Sequence, residues 1–349
     1  MGIEQSNWLS FLQQQGATIT EGRVANFGNP VAELQRANDN NVIIPLPHLG
    51  LLHAAGADTA VFLQGQTSND VRLVDAEHHQ LSSYSTPKGR MLALFTLFMR
   101  DGDYYLQLPQ ELAAAVQKRL SMFIMRSAVK LEEATDELAS FGLSGPQADL
   151  LLGKALGQCP AEPGQSLTID GVTLLRRPGV SPRFICLAPP ERLTALWQLL
   201  SAKSSPAGSA VWDLLEIRAG IPDIRTSTVE AFVPQMVNLQ LINGVNFKKG
   251  CYPGQEVVAR MQYLGKLKRR MYRAHLDTAE PPAAGSNLYS PDSESGQGAG
   301  KVVRAAPSPD GGCELLIVAE ISSAEQQTLY LESEHGPQLK LLALPYTFE

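Results

Sequence analysis

From residue 268 onward the chain breaks into five short strand-like stretches, 269–276, 301–305, 313–318, 328–332 and 339–343, separated by Gly, Pro, Asp and Ser. Short strands at such even spacing close most readily into a small barrel or sandwich, here of about 80 residues. One connection, 289–300, is especially polar. Upstream the pattern differs. A nearly continuous apolar run at 91–99 and a strand at 104–108 flank the turn signal Arg100-Asp101-Gly102-Asp103, which predicts a hairpin. Pro109 then opens a helix to about residue 124, with Leu112, Val116, Leu120 and Phe123 on one face.

Strand-like pieces at 138–143, 172–176 and 184–187 mix with helices near 147–156 and 191–200, and a further helix at 58–64 precedes them. Residues 204–209 are a linker by composition, and a helix at 211–219 stops at Gly220 and Pro222. Strands and helices do not alternate regularly, so the expected class is α+β rather than doubly wound α/β. Residues 7–15 read as a short amphipathic helix and 16–41 as polar, loop-rich material. The expected organisation is therefore an N-terminal extension over 1–41, a region over 42–265 with a second subdomain near 130–205, and a C-terminal barrel over 266–349.

At 349 residues, 44% apolar and 18% charged, the chain has ample material for a core. It has no apolar stretch of about 18 residues and no basic-then-apolar leader, so neither a membrane span nor a secretory signal is expected. Cysteines at 159, 186, 251 and 313 form no CxxC and have no histidine nearby. That pattern suits a reducing, cytoplasmic setting without a bound metal. His53, His78 and His79 form no ligand cluster and are expected to face solvent.

The segment of greatest chemical interest is Phe-Lys-Lys-Gly-Cys-Tyr-Pro-Gly-Gln-Glu at 247–256. Pro253 pushes Tyr252 towards extended geometry, Gly254 permits a backbone that other residues resist, and Gln255 to Arg260 read as helical. Helix starts expose unpaired N–H groups and positive potential, and thiols set there beside ammonium groups ionise more readily. Cys251 is accordingly either a functional thiol or a small buried hydrophobe.

Lys-Gly-Cys-Tyr-x-Gly-Gln-Glu resembles the hallmark of the YgfZ-type folate-binding proteins, relatives of the glycine-cleavage T-protein, an aminomethyltransferase. The likeness extends, in family order, to Phe62 through Thr67 with Asp70, Lys88-Gly89-Arg90, Trp212 through Pro222, and Phe232-Val233-Pro234-Gln235 with Asn238-Leu239. It covers roughly residues 42–272. The resemblance implies a T-protein-like folate-binding domain of two α/β subdomains plus a C-terminal small β-barrel. It implies tetrahydrofolate, or a folate derivative, as ligand and iron–sulfur tRNA-modifying enzymes as partners, with a monomeric chain and at most a weak tRNA contact. On this reading Cys251 and Lys249 carry the chemistry. Trp212, Leu49, Gln235, Asn238, Lys248, Gly250, Tyr252, Gly254, Gln255 and Glu256 surround the folate.

Several of these positions have a second reading. Trp212 is equally suited to be a core anchor, and Leu49 stands where the family has a second folate-contacting tryptophan. Gln235 and Asn238 suit a pterin edge or the capping of a turn after Pro234. Glu256 and Arg260 suit a helical i,i+4 pair. Where the T-protein resemblance implies a catalytic acidic pair, this chain has Leu92 and Ala93, and a further glutamate is replaced by Arg218. Whether the chain catalyses a one-carbon transfer or only binds folate is left open by the residues.

Charge is unevenly placed. Residues 248–273 hold eight basic side chains against the single acid Glu256, a net +7, so the remainder must carry −13 to give the total of −6. The island suits an anionic partner, such as a folate glutamate tail or a nucleic-acid backbone. For 266–273 a solvated strand and turn is the plainer reading. Rival functions are thus a true folate-dependent aminomethyl- or methyltransferase, an RNA-binding module, and a scaffold for client enzymes.

Overall fold

A computed structural model describes residues 3–293 and 298–348; the centre of the polar 289–300 loop lies outside them. The chain forms two compact units, neither of them continuous in sequence. The first takes Met1–Gln64, Val71–Leu81 and Phe95–Trp212, and the second Gly65–Asp70, Ser82–Leu94 and Asp213–Glu349.

The first unit is built on a six-stranded sheet in the order Ser166–Ile169, Val172–Arg177, Arg183–Ala188, Ala139–Ser144, Val42–Pro45 and Ser205–Pro206. Helix Pro190–Ser201 starts on Pro190, whose missing N–H costs nothing at that position. It turns Leu193, Leu196, Trp197 and Leu200 inward at helical spacing. Trp197 is the centre of this core: Trp8 and Phe141 meet it edge-on at 5.8 and 5.7 Å, and Phe27 stacks at 6.0 Å. Residues 16–41, expected to be loop-rich, instead contain strands Thr18–Thr20 and Arg23–Asn26 and helix Pro30–Asp39. That helix is capped by the Asn29 side chain on the Ala32 amide. The polar residues that suggested loop are the outer faces of these elements, while Trp8, Leu12 and Val24 are buried in the core.

A five-stranded antiparallel sheet follows the order Gln80–Ser85, Met91–Arg100, Asp103–Pro109, Leu49–Ala55 and Lys130–Glu133. The hairpin expected around residues 100–103 is present, with Arg100 paired to Asp103. His79 corrects the expectation of solvent exposure. It is buried, its Nε2 meets the Arg176 carbonyl at 3.0 Å, and burial, with Arg177 nearby, pushes its pKa down to about 3.

The second unit ends in a six-stranded antiparallel sheet that curls into a half-barrel. Its order is Tyr330–Leu331, Asn287–Tyr289, Gly300–Pro307, Cys313–Glu320, Arg269–Leu276 and Leu339–Leu342. Cys313–Glu320 is buried along its whole length, as a central strand should be. Leu276, Leu288, Val302, Leu315 and Ile317 form the core of this sheet. The molecule is thus an α+β protein with a terminal barrel-like sheet. Among the described residues no helix is long and apolar enough to cross a membrane.

Candidate functional site

The 247–256 segment lies in the second unit, and most of its side chains are spent on holding it in place. Lys249 is only 5% exposed. Its Nζ donates to the carbonyls of Thr67 at 2.5 Å and Asn69 at 2.9 Å and sits 5.1 Å from the centre of the Tyr252 ring. A buried ammonium needs such partners, and a π face is one more favourable neighbour. Expected to act beside Cys251, Lys249 is instead an anchor, since its charge is enclosed by main-chain oxygen and an aromatic ring. The Thr67–Asp70 stretch is itself tied back: Ser68 Oγ donates to the Gly244 carbonyl at 2.7 Å and Asn69 Nδ2 to that of Asn243 at 2.6 Å. Tyr252 is buried, and burial pushes its phenol up to about 12.

Gly254 sits at φ +83° and precedes helix Gln255–Tyr263. A Cβ here would fall 2.5 Å from the Thr86 carbonyl oxygen and 2.7 Å from Gly89 Cα. Gly89, itself at φ +72°, lies under the same helix, where a Cβ would press on Val257 at 3.1 Å. Two glycine turns therefore pack backbone to backbone, which only residues without side chains allow. Lys88-Gly89-Arg90 lies in the turn between strands Gln80–Ser85 and Met91–Arg100. Lys88 is exposed, but Gly89 is buried and Arg90 reaches the Ala231 carbonyl at 2.8 Å.

Outside this mount stand Lys248, Gly250 and Cys251, all exposed. Nothing lies within 4 Å of where a Gly250 side chain would begin. The buried-hydrophobe reading of Cys251 is excluded. Gln255 Nε2 approaches the Lys249 carbonyl at 3.4 Å. Glu256 points to solvent and faces Arg260 at 3.7 Å, the i,i+4 pair.

Gln235 and Asn238 occupy the short turn Pro234–Val237 and its cap. Asn238, at φ +60°, uses its amide on the barrel: Nδ2 donates to the Met271 carbonyl at 2.9 Å and Oδ1 accepts from the Met271 N–H at 3.4 Å. The side chain thus ties the turn to strand Arg269–Leu276, while the Asn238 backbone N–H caps the turn on the Gln235 and Pro234 carbonyls. Gln235 Nε2 donates to the Val258 carbonyl at 2.5 Å, while its buried Oε1 has no partner among the described residues. The hydroxyls of Ser83 and Ser85, on the strand leading into the Gly89 turn, are likewise buried and unpartnered.

Trp212 and Leu49 belong to the first unit. The Trp212 indole is 3% exposed, with the Arg183 guanidinium 4.9 Å from its ring centre. A side chain at Gly142 would strike the ring. Trp212 is thus the packed anchor that its second reading described. Leu49 is half-buried and opens strand Leu49–Ala55 opposite Pro109.

The positions that depart from the T-protein pattern have structural employment. Leu92 and Ala93 are buried in strand Met91–Arg100. Arg218 grips Glu314 through Nη2 at 2.8 Å and Nε at 3.0 Å, and Arg273 takes the other carboxylate oxygen at 2.6 Å. Among the described residues no group of three or more His, Cys, Asp or Glu is placed to hold a metal ion. Sequence reading missed Thr67, Asn69 and Thr86 as the seats of the motif. Thr67 fell within the family likeness at 62–67, but Asn69 and Thr86 only adjoin its quoted positions, and the likeness did not say what those stretches touch.

The fold has a solved counterpart in the glycine cleavage aminomethyltransferase T of Bartonella henselae, with a TM-score of 0.79, 17% identity and 96% of each chain covered. That likeness defines a protein of the aminomethyltransferase T fold, carrying a cysteine-bearing loop on a rigid mount. No family model matches the chain. It is similar to the tRNA-modifying protein YgfZ of Colwellia psychrerythraea, 30% identical over 305 residues, which span 87% of this chain and 93% of that protein. The YgfZ of Pectobacterium carotovorum is 30% identical over 317 residues, 91% of this chain and 94% of that one. The chain belongs to the YgfZ family.

Proposed function

We propose that this protein binds tetrahydrofolate in the cytoplasm and supports iron–sulfur enzymes that modify tRNA, with Cys251 as the group presented to the client. The observation that carries the reading is the contrast within one loop. Lys249, Tyr252 and Gly254 are locked into the unit, while Cys251 offers its thiol to solvent. A structural cysteine would be buried, so a rigid mount that exposes one favours chemistry or contact. The tRNA-modifying designation of the relatives supports the setting.

The residues at hand suit a folate. The orphaned Gln235 Oε1 and the Ser83 and Ser85 hydroxyls are buried acceptors and donors of the kind a pterin rim requires. Bound tetrahydrofolate would supply a one-carbon acceptor. The chain's own part is to hold it and to present the Cys251 thiol. Leu92 and Ala93 cannot hold or move a proton, which weighs against aminomethyl transfer of the T-protein type.

Two variants test this. Cys251→Ala should bind tetrahydrofolate by calorimetry as the parent does, melt at the same temperature, and fail to restore tRNA thiolation in a strain lacking the native gene. Gln235→Leu should weaken tetrahydrofolate binding. Full restoration by Cys251→Ala, or folate affinity indifferent to Gln235→Leu, would sink the respective halves of the proposal.

A further inference from the structure

The basic island at 248–273 divides into two populations. Its arginines are largely committed: Arg269 to Glu320 at 3.0 Å, Arg273 to Glu314, and Arg270 over the Phe348 ring at 4.4 Å. Lys266 and Lys268 are exposed, and their side chains make no hydrogen bond or ion pair among the described residues. They stand on the wall of a cleft of about 1000 Å³ within the second unit. Arg90, Arg269 and Lys301 add three further cations to that cleft, against the carboxylates of Glu320, already paired with Arg269, and Glu325. Phe232, Met236, Leu267 and Ile321 supply apolar surface between them. Three residues before Lys266 stands Tyr263, 68% exposed at the end of its helix, with Phe247 meeting it edge-on at 6.1 Å.

A run of cations along a groove, with an exposed aromatic ring three residues away in the chain, is the pattern that binds single-stranded nucleic acid. Phosphates lie along the cations while bases stack on the ring. A purely carboxylate ligand has no use for the ring, and a folded acidic protein would not enter a cleft of this size. The rest of the chain is strongly acidic, so an RNA strand would be repelled elsewhere and confined to this face. We propose that the Lys266–Lys268 cleft with Tyr263 is a binding site for a single-stranded segment of RNA. The protein then touches the nucleic acid itself and does not act through client enzymes alone. This inference is independent of the folate site.

The test is fluorescence anisotropy of the full chain with a labelled single-stranded RNA of about 12 nucleotides, within the site sizes of such grooves. With three or four phosphates neutralised, log affinity should fall against log salt with a slope of about −2 to −3. Lys266→Ala with Lys268→Ala should flatten the slope by about 1.4. Tyr263→Ala should weaken binding by about tenfold or more with the slope unchanged. All three residues are exposed, so equal melting temperatures verify that the variants fold. Lys118→Ala with Lys154→Ala, which removes the same charge from the first unit, should leave affinity as it was. The proposal is overturned by absence of binding at low salt, by equal weakening in that control pair, or by displacement of RNA by oligoglutamate at matched charge.

Discussion

At the scale of single residues, the motif loop separates side chains that build the mount from those it displays. Gly254 and Gly250 are chemically identical and stand four positions apart, yet their surroundings predict opposite outcomes. Alanine at 254 must adopt a left-handed backbone, at about 1–2 kcal/mol, and forces a Cβ into the Gly89 turn, at about 1–3 kcal/mol more. Alanine at 250 meets open space and should change stability by less than about 0.5 kcal/mol. Urea titration of the two variants checks this. Similar midpoints would mean that the 254 turn relaxes and that the backbone contact with Gly89 is not what fixes the loop. The identity of the motif residues was legible in the sequence, down to the glycine that allows a positive φ. Their employment was not, because the carbonyls that hold Lys249 lie 182 and 180 residues away along the chain.

At the scale of elements, one irregularity in the terminal sheet organises a buried charge network. Strand Gly300–Pro307 shifts register between Val302 and Arg304, so that Val303 is an extra residue against its neighbour strand. A bulge re-aims the side chains beyond it. Val302 faces the core, while Arg304 reaches Asp223 at 2.9 Å, Glu216 at 3.6 Å and Asp213 at 4.0 Å, with Arg225 closing on Asp223 at 2.6 Å. Burial alone would raise the Asp223 carboxyl, but Arg225 and Arg304 together hold it below its ordinary value of 3.8. Its stabilising contribution is therefore whole above pH 3.8 and fades as pH falls below that towards the lower folded value. Asp223→Asn should cost about 3–5 kcal/mol at neutral pH, as for breaking a buried pair, and should flatten the acid limb of stability against pH. An acid limb as steep as the parent's would assign that limb to other carboxylates. Strand 269–276 and the helices near 110–121 and 190–201 could be read from periodicity. The bulge and the three-residue strand Asn287–Tyr289 could not, since neither leaves a repeating pattern.

At the scale of the whole molecule, compactness and chain order do not coincide. The second unit draws Gly65–Asp70 and Ser82–Leu94 out of the N-terminal third of the sequence. Composition alone suggested consecutive blocks, because strand spacing and linkers are local signals and say nothing of a segment inserted from elsewhere. The inserted pieces are the ones that hold the cysteine loop: Thr67 and Asn69 receive Lys249, and Thr86 and Gly89 receive Gly254. A fragment comprising residues 213–349 retains the six strands of the terminal sheet and its core, so it should keep its β signature by circular dichroism. It lacks every one of those seats. Its Lys249 ammonium would then have no carbonyl to meet, and the loop should be cut readily after Lys248 or Lys249 by trypsin under conditions that leave the full chain intact there. Protection of the loop in the isolated fragment would mean that it is held by contacts within 213–349, and that the distant segments are passengers on its mount.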